Sequence, residues 1–175
     1  MISTTFRSSF RAIAGAGLPL NEMAERLNNL HWQEGVEARR RYVTAILMCL
    51  DPATHTVEAV NCGHNPAFFV NGQERGRIGA SGPPLGMLPD RTYEIERFPV
   101  PEGGQVLLYT DGLTEVFYED EEFGEDRLMA LMTDWPTPDL LDRVWLTLGK
   151  FARGAHQTDD MTALYLCRTA KGESA

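Results

Sequence analysis

The apolar positions of the chain change their period several times along its length. Phe6, Phe10 and Ile13 recur at helical spacing and Gly15 and Gly17 follow them, so residues 2–16 are expected to form a helix. A second helix is expected to open at Pro19, a residue suited to a first helical turn, with Leu20, Met23, Leu27 and Leu30 as its apolar face. The segment EGVEARRR reads as a charged connection. Residues 42–50, YVTAILMCL, are apolar with little alternation, the pattern of a strand covered on both faces.

Shorter strands follow, separated by turn residues. Residues 51–54 (DPAT) mark a turn, 56–60 a strand and 67–70 another, ending at Asn71-Gly72, a strong hairpin signal. The segment SGPPLGMLP within 79–90 is stiff and irregular, the kind of loop that shapes a site. Residues 92–98 alternate as a half-exposed strand, and 105–110 form an apolar one. A helix is expected over 124–132. Another starts after Thr137 as N-cap with Pro138 at its first position, turning Leu141, Val144, Trp145, Leu148 and Phe151 inward. Residues 161–167 close the chain's pattern as a buried strand. Hairpin-sized links between the strands imply antiparallel sheets with helices packed outside, an α+β fold.

Composition narrows the function classes. With 175 residues, 43% apolar and 23% charged, the chain has the makeup of one globular domain. Its net charge of −9, from 25 acidic and 16 basic side chains, argues against a nucleic-acid footprint and suits a protein that handles cations. Cys49, Cys62 and Cys167 form no CxxC; Cys49 and Cys167 sit in apolar runs and read as small core residues of a reducing compartment. Cys62 and His64 make a lone C-x-H, too few ligands for zinc. No stretch approaches the length of a membrane span, and the N-terminus has no apolar signal-peptide region, so a cytoplasmic location is expected.

Two placements of carboxylates carry candidate chemistry. Asp111 follows the C-terminal end of the strand in LLYTDGLTE, and Asp159 and Asp160 precede the N-terminal end of the last strand. If those strands are antiparallel neighbours, the acids meet at one edge of the sheet. Hard dications such as Mg²⁺ or Mn²⁺ take oxygen ligands and keep several waters, and Gly112 would let backbone approach a metal or phosphate closely. Asp-Gly after a strand is otherwise an ordinary turn, and Asp-Asp a solvated loop; spacing leaves both readings open. The acidic run 118–126 lacks the ligand spacing of an EF-hand and reads as a solvated loop. His64, in NCGHNP, reads either as a hydrogen-bonded turn residue or as a general acid or phosphate contact.

Six segments, taken in order, resemble one family: YVTAILMCLD (42–51), NCGHNP (61–66), SGPPLGMLPD (81–90), LLYTDGLTE (107–115), FGEDRL (123–128) and QTDDMTALYL (157–166). Together they are similar to the bacterial SpoIIE-type serine phosphatases, PP2C-like enzymes of the RsbU kind. The resemblance covers essentially the whole chain as a single, partial phosphatase domain, residues 1–175. It implies an α/β/β/α sandwich with a binuclear Mn²⁺ or Mg²⁺ centre. It also implies hydrolysis of phosphoserine or phosphothreonine by a metal-activated water, on a partner that is often a STAS-domain anti-sigma-factor antagonist. Asp111 matches the metal aspartate of the family's TDG motif, with Gly112 in the same turn. Asp159 matches that of its DDxT motif, with Asp160 as neighbour. His64 and Asn65 match the GHxP segment.

One departure shapes the expectation for function. The family's GGDxYD-like and GDVSGKG-like segments, each a source of aspartates, have no counterpart here, and Met1 falls where the helix after the second should already be under way. Two usual metal ligands and several N-terminal strands are therefore missing from the pattern, leaving sheet edges to be covered or shared, for instance in a homodimer. Two functions follow: a metal-dependent phosphoprotein phosphatase seen in part, or a catalytically inactive PP2C-like regulatory module. Two carboxylates hold two dications poorly against their hydration, so weak metal binding by the 175 residues is expected.

Overall fold

A computed structural model describes residues 4–154 and 159–169. Helices α1 (Thr4–Ala14), α2 (Leu20–Gln33) and α3 (Val36–Arg39) precede strands β1 (Ala45–Asp51), β2 (Thr56–Cys62), β3 (Ala67–Asn71), β4 (Glu74–Ile78), β5 (Glu96–Pro99) and β6 (Gln105–Tyr109). A 3₁₀ turn over Asp111–Leu113, the short strands β7 (Phe117–Tyr118) and β8 (Glu121–Glu122), helices α4 (Gly124–Ala130) and α5 (Leu140–Ala152), and strand β9 (Ala163–Cys167) complete the order. The α+β class with antiparallel sheets is as expected. The expected helical residues Ile2 and Ser3, and Gln157 and Thr158 of the last motif, lie outside the described residues.

The chain divides into two compact units, one comprising the described residues up to Pro66 with Ile78–Pro99, the other Ala67–Arg77 with the described residues from Val100 on. In the first unit β2 is the middle strand of β1-β2-β5 and is largely buried. Phe6 and Ile13 of α1 and Leu20, Met23, Ala24 and Leu27 of α2 share a core with Leu47, Val60, Cys62, Leu85 and Tyr93. In the second unit the sheet order is β4-β3-β6-β9. Its inner strand β6 buries Leu107 and Tyr109 with Phe68, Val70, Leu113, Phe123, Leu128 and, from α5, Leu140, Val144 and Leu148. Residues at i, i+4 and i+8 share one helix face, which is why those three α5 side chains turn inward together.

Several expectations are corrected. Strand β1 is an edge strand, not one covered on both faces, and Cys49 and Leu50 near its end are exposed. Cys167, on the edge strand β9, is exposed as well; an apolar neighbourhood in sequence does not bury a residue where a sheet ends. Trp145 is 40% exposed, because one step past Val144 it is rotated about 100° off the buried stripe. The N-cap of α5 is Asp139, and Thr137 instead accepts Nη2–H of Arg143 at 3.1 Å through its hydroxyl. The connection after α2 contains the short helix α3, and the strand expected over 92–98 is confined to Glu96–Pro99. On α2, Leu30 is exposed, whereas Asn28 and His31 are buried. No helix among the described residues is long and apolar enough to cross a membrane.

Candidate functional site

The pairing of β6 with β9 sets the site. The two strands run antiparallel with Tyr109 opposite Ala163, so the segment leaving β6 and the segment entering β9 emerge at the same edge. The ladder extends one step further, where the Thr110 amide donates to the Thr162 carbonyl at 2.9 Å. Asp111 and the Asp159–Asp160 pair therefore lie side by side at that edge, all three exposed.

Backbone groups organise both acidic turns. After Thr110 the chain tightens into the 3₁₀ turn, where the Asp111 carbonyl accepts the amides of Thr114 and Glu115, each at 2.8 Å, and the Thr114 hydroxyl at 3.0 Å. The Gly112 amide donates to Asp111 Oδ1 at 3.0 Å, and the Asp160 amide donates to Asp159 Oδ1 at 2.7 Å. In each turn one carboxylate oxygen is thus oriented by an adjacent N–H. Gly112 is buried against the second acidic turn: a Cβ placed on it would stand 2.6 Å from the Asp160 carbonyl oxygen and 3.4 Å from that of Asp159. Glycine is required here by close approach of backbone to backbone.

The segments that carried the family resemblance meet within the units. In the second, the Phe123 amide donates to the Val116 carbonyl at 2.8 Å and the Gly124 amide to that of Thr114 at 2.9 Å, which ties FGEDRL to the turn after Asp111. In the first, Val43 forms a bridge with Leu85 and Cys62 one with Gly82, so YVTAILMCLD and NCGHNP both join the proline-rich loop. That loop is anchored by residues that the apolar pattern of α2 did not single out. Asn28 Oδ1 accepts the Gly86 amide at 2.9 Å, Asn28 Nδ2 donates to the Leu88 carbonyl at 3.0 Å, and Tyr93 donates its hydroxyl to the Pro83 carbonyl at 3.0 Å. The signal available in sequence was a polar residue one position past Leu27 on an otherwise apolar face.

His64 lies in the first unit, in a turn pinned by Asn61. Asn61 Oδ1 accepts the His64 amide at 2.8 Å, and Asn61 Nδ2 donates to the carbonyls of Asn65 at 3.4 Å and Ile78 at 3.2 Å. His64 itself is partly exposed, with its Nδ1 buried and without a hydrogen-bond partner. Cys62, fully buried in β2, has its thiol pKa pushed up to about 12 by burial, which makes it an inert core group.

The donor set has the chemistry of a hard-cation site. Asp111, Asp159 and Asp160 offer carboxylate oxygens, the ligands preferred by Mg²⁺ and Mn²⁺. Among the described residues no three His, Cys, Asp or Glu side chains are grouped closely enough to hold an ion by themselves. The donors fit such a cation in kind and would supply part of its shell.

This arrangement defines a PP2C-like fold, and solved structures agree. The PP2C phosphatase domain with a fragment of the regulatory domain of SpoIIE from Bacillus subtilis matches with a TM-score of 0.74 at 18% identity, over 93% of this chain and 48% of that one. RsbX, solved in complex with magnesium, matches with a TM-score of 0.62 at 16% identity, over 94% of this chain and 75% of that one. The chain belongs to the family described as Stage II sporulation protein E (SpoIIE), whose model matches residues 1–169. Phosphoserine phosphatase RsbP of Bacillus subtilis (strain 168) is 30% identical over 164 residues, 91% of this chain and 40% of RsbP. The chain spans less than half the length of the curated relatives it matches.

Proposed function

We propose that the chain is part of a metal-dependent protein serine/threonine phosphatase domain whose metal ligands include Asp111 and Asp159, with Gly112 and Asp160 shaping the site. The observation that carries this reading is the β6–β9 pairing, which brings the two acidic turns to one sheet edge with Gly112 against the Asp160 carbonyl. The phosphoserine phosphatase name of RsbP supports the reaction class, and the magnesium complex of RsbX supports the cofactor. Mn²⁺ or Mg²⁺, when bound, polarises phosphoryl oxygens and lowers the pKa of water. The chain's own residues supply negative charge and fixed geometry: the amides of Gly112 and Asp160 aim the carboxylates of Asp111 and Asp159, and the buried Leu113 anchors the turn beneath them.

The substrate in this reading is a phosphorylated signalling protein in the cytoplasm, of the STAS-type anti-sigma-factor-antagonist class, with phosphoserine or phosphothreonine as the group removed. The finer architecture is an α/β/β/α sandwich that further N-terminal strands would complete. A second reading, a catalytically inactive regulatory module, is favoured by one observation: fewer than three clustered ligands among the described residues.

The test is hydrolysis of p-nitrophenyl phosphate with Mn²⁺ by the longest form that the reading frame encodes. Asp111→Asn, which retains an Oδ1 acceptor for the Gly112 amide, is expected to abolish turnover without unfolding the protein. Unchanged activity in that variant removes Asp111 from the site. Absence of turnover in the longest wild-type form favours the regulatory module.

A further inference from the structure

The two acidic turns are joined by a side chain that carries no charge. Thr110, the last residue before Asp111, has an extended backbone with φ −92° and ψ 154°. Its hydroxyl donates to the Asp160 carbonyl at 2.9 Å and accepts the Thr162 amide at 2.9 Å. One oxygen thus bridges both sides of Met161, in addition to the backbone bond from Thr110 N–H to the Thr162 carbonyl at 2.9 Å. The Asp160 carbonyl is held from two directions, by the Thr110 hydroxyl and by the close packing of Gly112.

We propose that Thr110 is the positioning residue of the site: its hydroxyl fixes the Asp159–Asp160 turn in register with Asp111. The inference rests on the metal-site reading above for its consequence, and on the three bonds of Thr110 for its mechanism. A hydroxyl is needed because the position must donate and accept at once. Serine retains both roles. Valine, of nearly the same shape, performs neither, and leaves the Thr162 amide and the Asp160 carbonyl to water at an exposed edge. The strand ladder from Gln105 to Tyr109 is untouched by that change, so the effect is confined to the turn. Groups that orient metal ligands typically govern affinity by about 10- to 100-fold.

The experiment compares Thr110→Val, Thr110→Ser and the wild type by two readouts. The first is amide hydrogen exchange at Thr162 in metal-free protein. The second is a Mn²⁺ titration at millimolar concentration, followed by the electron paramagnetic resonance signal of the free ion. Thr110→Val is expected to lose Thr162 protection and to weaken Mn²⁺ binding about 10-fold, while Thr110→Ser keeps both and the melting temperatures stay close. Unchanged Thr162 protection in Thr110→Val overturns the clamp. Lost protection with unchanged Mn²⁺ affinity overturns the positioning role. Thr110→Ala gives the same comparison if valine is poorly accommodated. Asp111→Asn separates the two claims: it should lose Mn²⁺ yet keep Thr162 protected, and if it keeps Mn²⁺, the metal-site reading fails while the exchange data still decide the clamp.

Discussion

Gly112 and Asp160 touch backbone to backbone: a Cβ on the glycine would lie 2.6 Å from the Asp160 carbonyl oxygen, closer than real Cβ contacts come. The turn after β6 and the turn before β9 are therefore one packed unit. There is no room for the two turns to approach further.

Gly112→Ala follows from that contact. The obstructing atom is main chain, so relief requires the Asp159–Asp160 turn to shift away from Asp111. Overpacking of this kind costs about 1–3 kcal/mol, or roughly 2–4 °C of melting temperature per kcal/mol for a chain of this size. Thermal unfolding followed by circular dichroism checks the loss, and Mn²⁺ binding should weaken together with it. A variant with wild-type melting and wild-type metal affinity would show that the contact is slack.

The edge that holds Asp111, Asp159 and Asp160 was legible because each acid sits at the end of a clean apolar run, and the antiparallel order of short strands leaves few ways to pair them. The Asn71-Gly72 hairpin was legible for a similar local reason, since Gly72 adopts φ 64° as the turn needs. What escaped depends on tertiary partners. Asn28 and His31 are polar, so no hydropathy pattern buries them; their burial follows from the segments that they bond, the proline-rich loop through the amide of Gly86 and the carbonyl of Leu88 for Asn28, and the connection after α3 through the carbonyl of Arg41 for His31. Cys49 and Cys167 escaped in the opposite sense, because edge position in a sheet is not written in the strand itself. Thr110 was hidden inside the TDG motif, where the aspartate drew attention and the hydroxyl did not.

Asn28→Ala tests how firmly α2 holds the proline-rich loop. The side chain is fully buried, and its loss leaves the Gly86 amide and the Leu88 carbonyl without their partners. Each unsatisfied group costs about 1–3 kcal/mol, so the two together are expected to cost about 2–6 kcal/mol. Urea unfolding should show a lower midpoint with the slope preserved, together with faster hydrogen exchange at Gly86. A midpoint within error of wild type would mean that water replaces Asn28 at no cost.

Gly63→Ala tests the junction of NCGHNP with SGPPLGMLPD. Gly63 has φ 68°, where a side chain is strained, and a Cβ there would meet Pro84 Cδ at 2.5 Å. Strain of roughly 1–3 kcal/mol from the backbone alone is compounded by the clash with a ring that cannot swing aside. The expected outcome is a larger loss of melting temperature than Gly72→Ala produces, since Gly72, at φ 64°, has open space around it. Equal losses in the two variants would assign the whole effect to backbone strain and none to Pro84.

Alkaline pH should weaken the fold through its buried acids. Burial pushes the Cys62 thiol up to about 12, and it also raises the phenols of Tyr93 and Tyr165, with the charges of Cys62 and Cys167 respectively adding to the shift. In the unfolded chain a thiol ionises near pH 8.5. Below that point both states keep the proton and the Cys62 contribution is constant. Above it the unfolded state binds fewer protons than the native one, so stability falls as pH rises toward the folded value. Urea midpoints should decline above about pH 9, and less steeply in Cys62→Ala. At neutral pH a thiol reagent such as 5,5′-dithiobis(2-nitrobenzoic acid) should modify the exposed Cys49 and Cys167 in the native protein and reach Cys62 only on unfolding. Native-state labelling of all three thiols, or a pH profile identical in wild type and Cys62→Ala, would contradict the burial of Cys62 in β2.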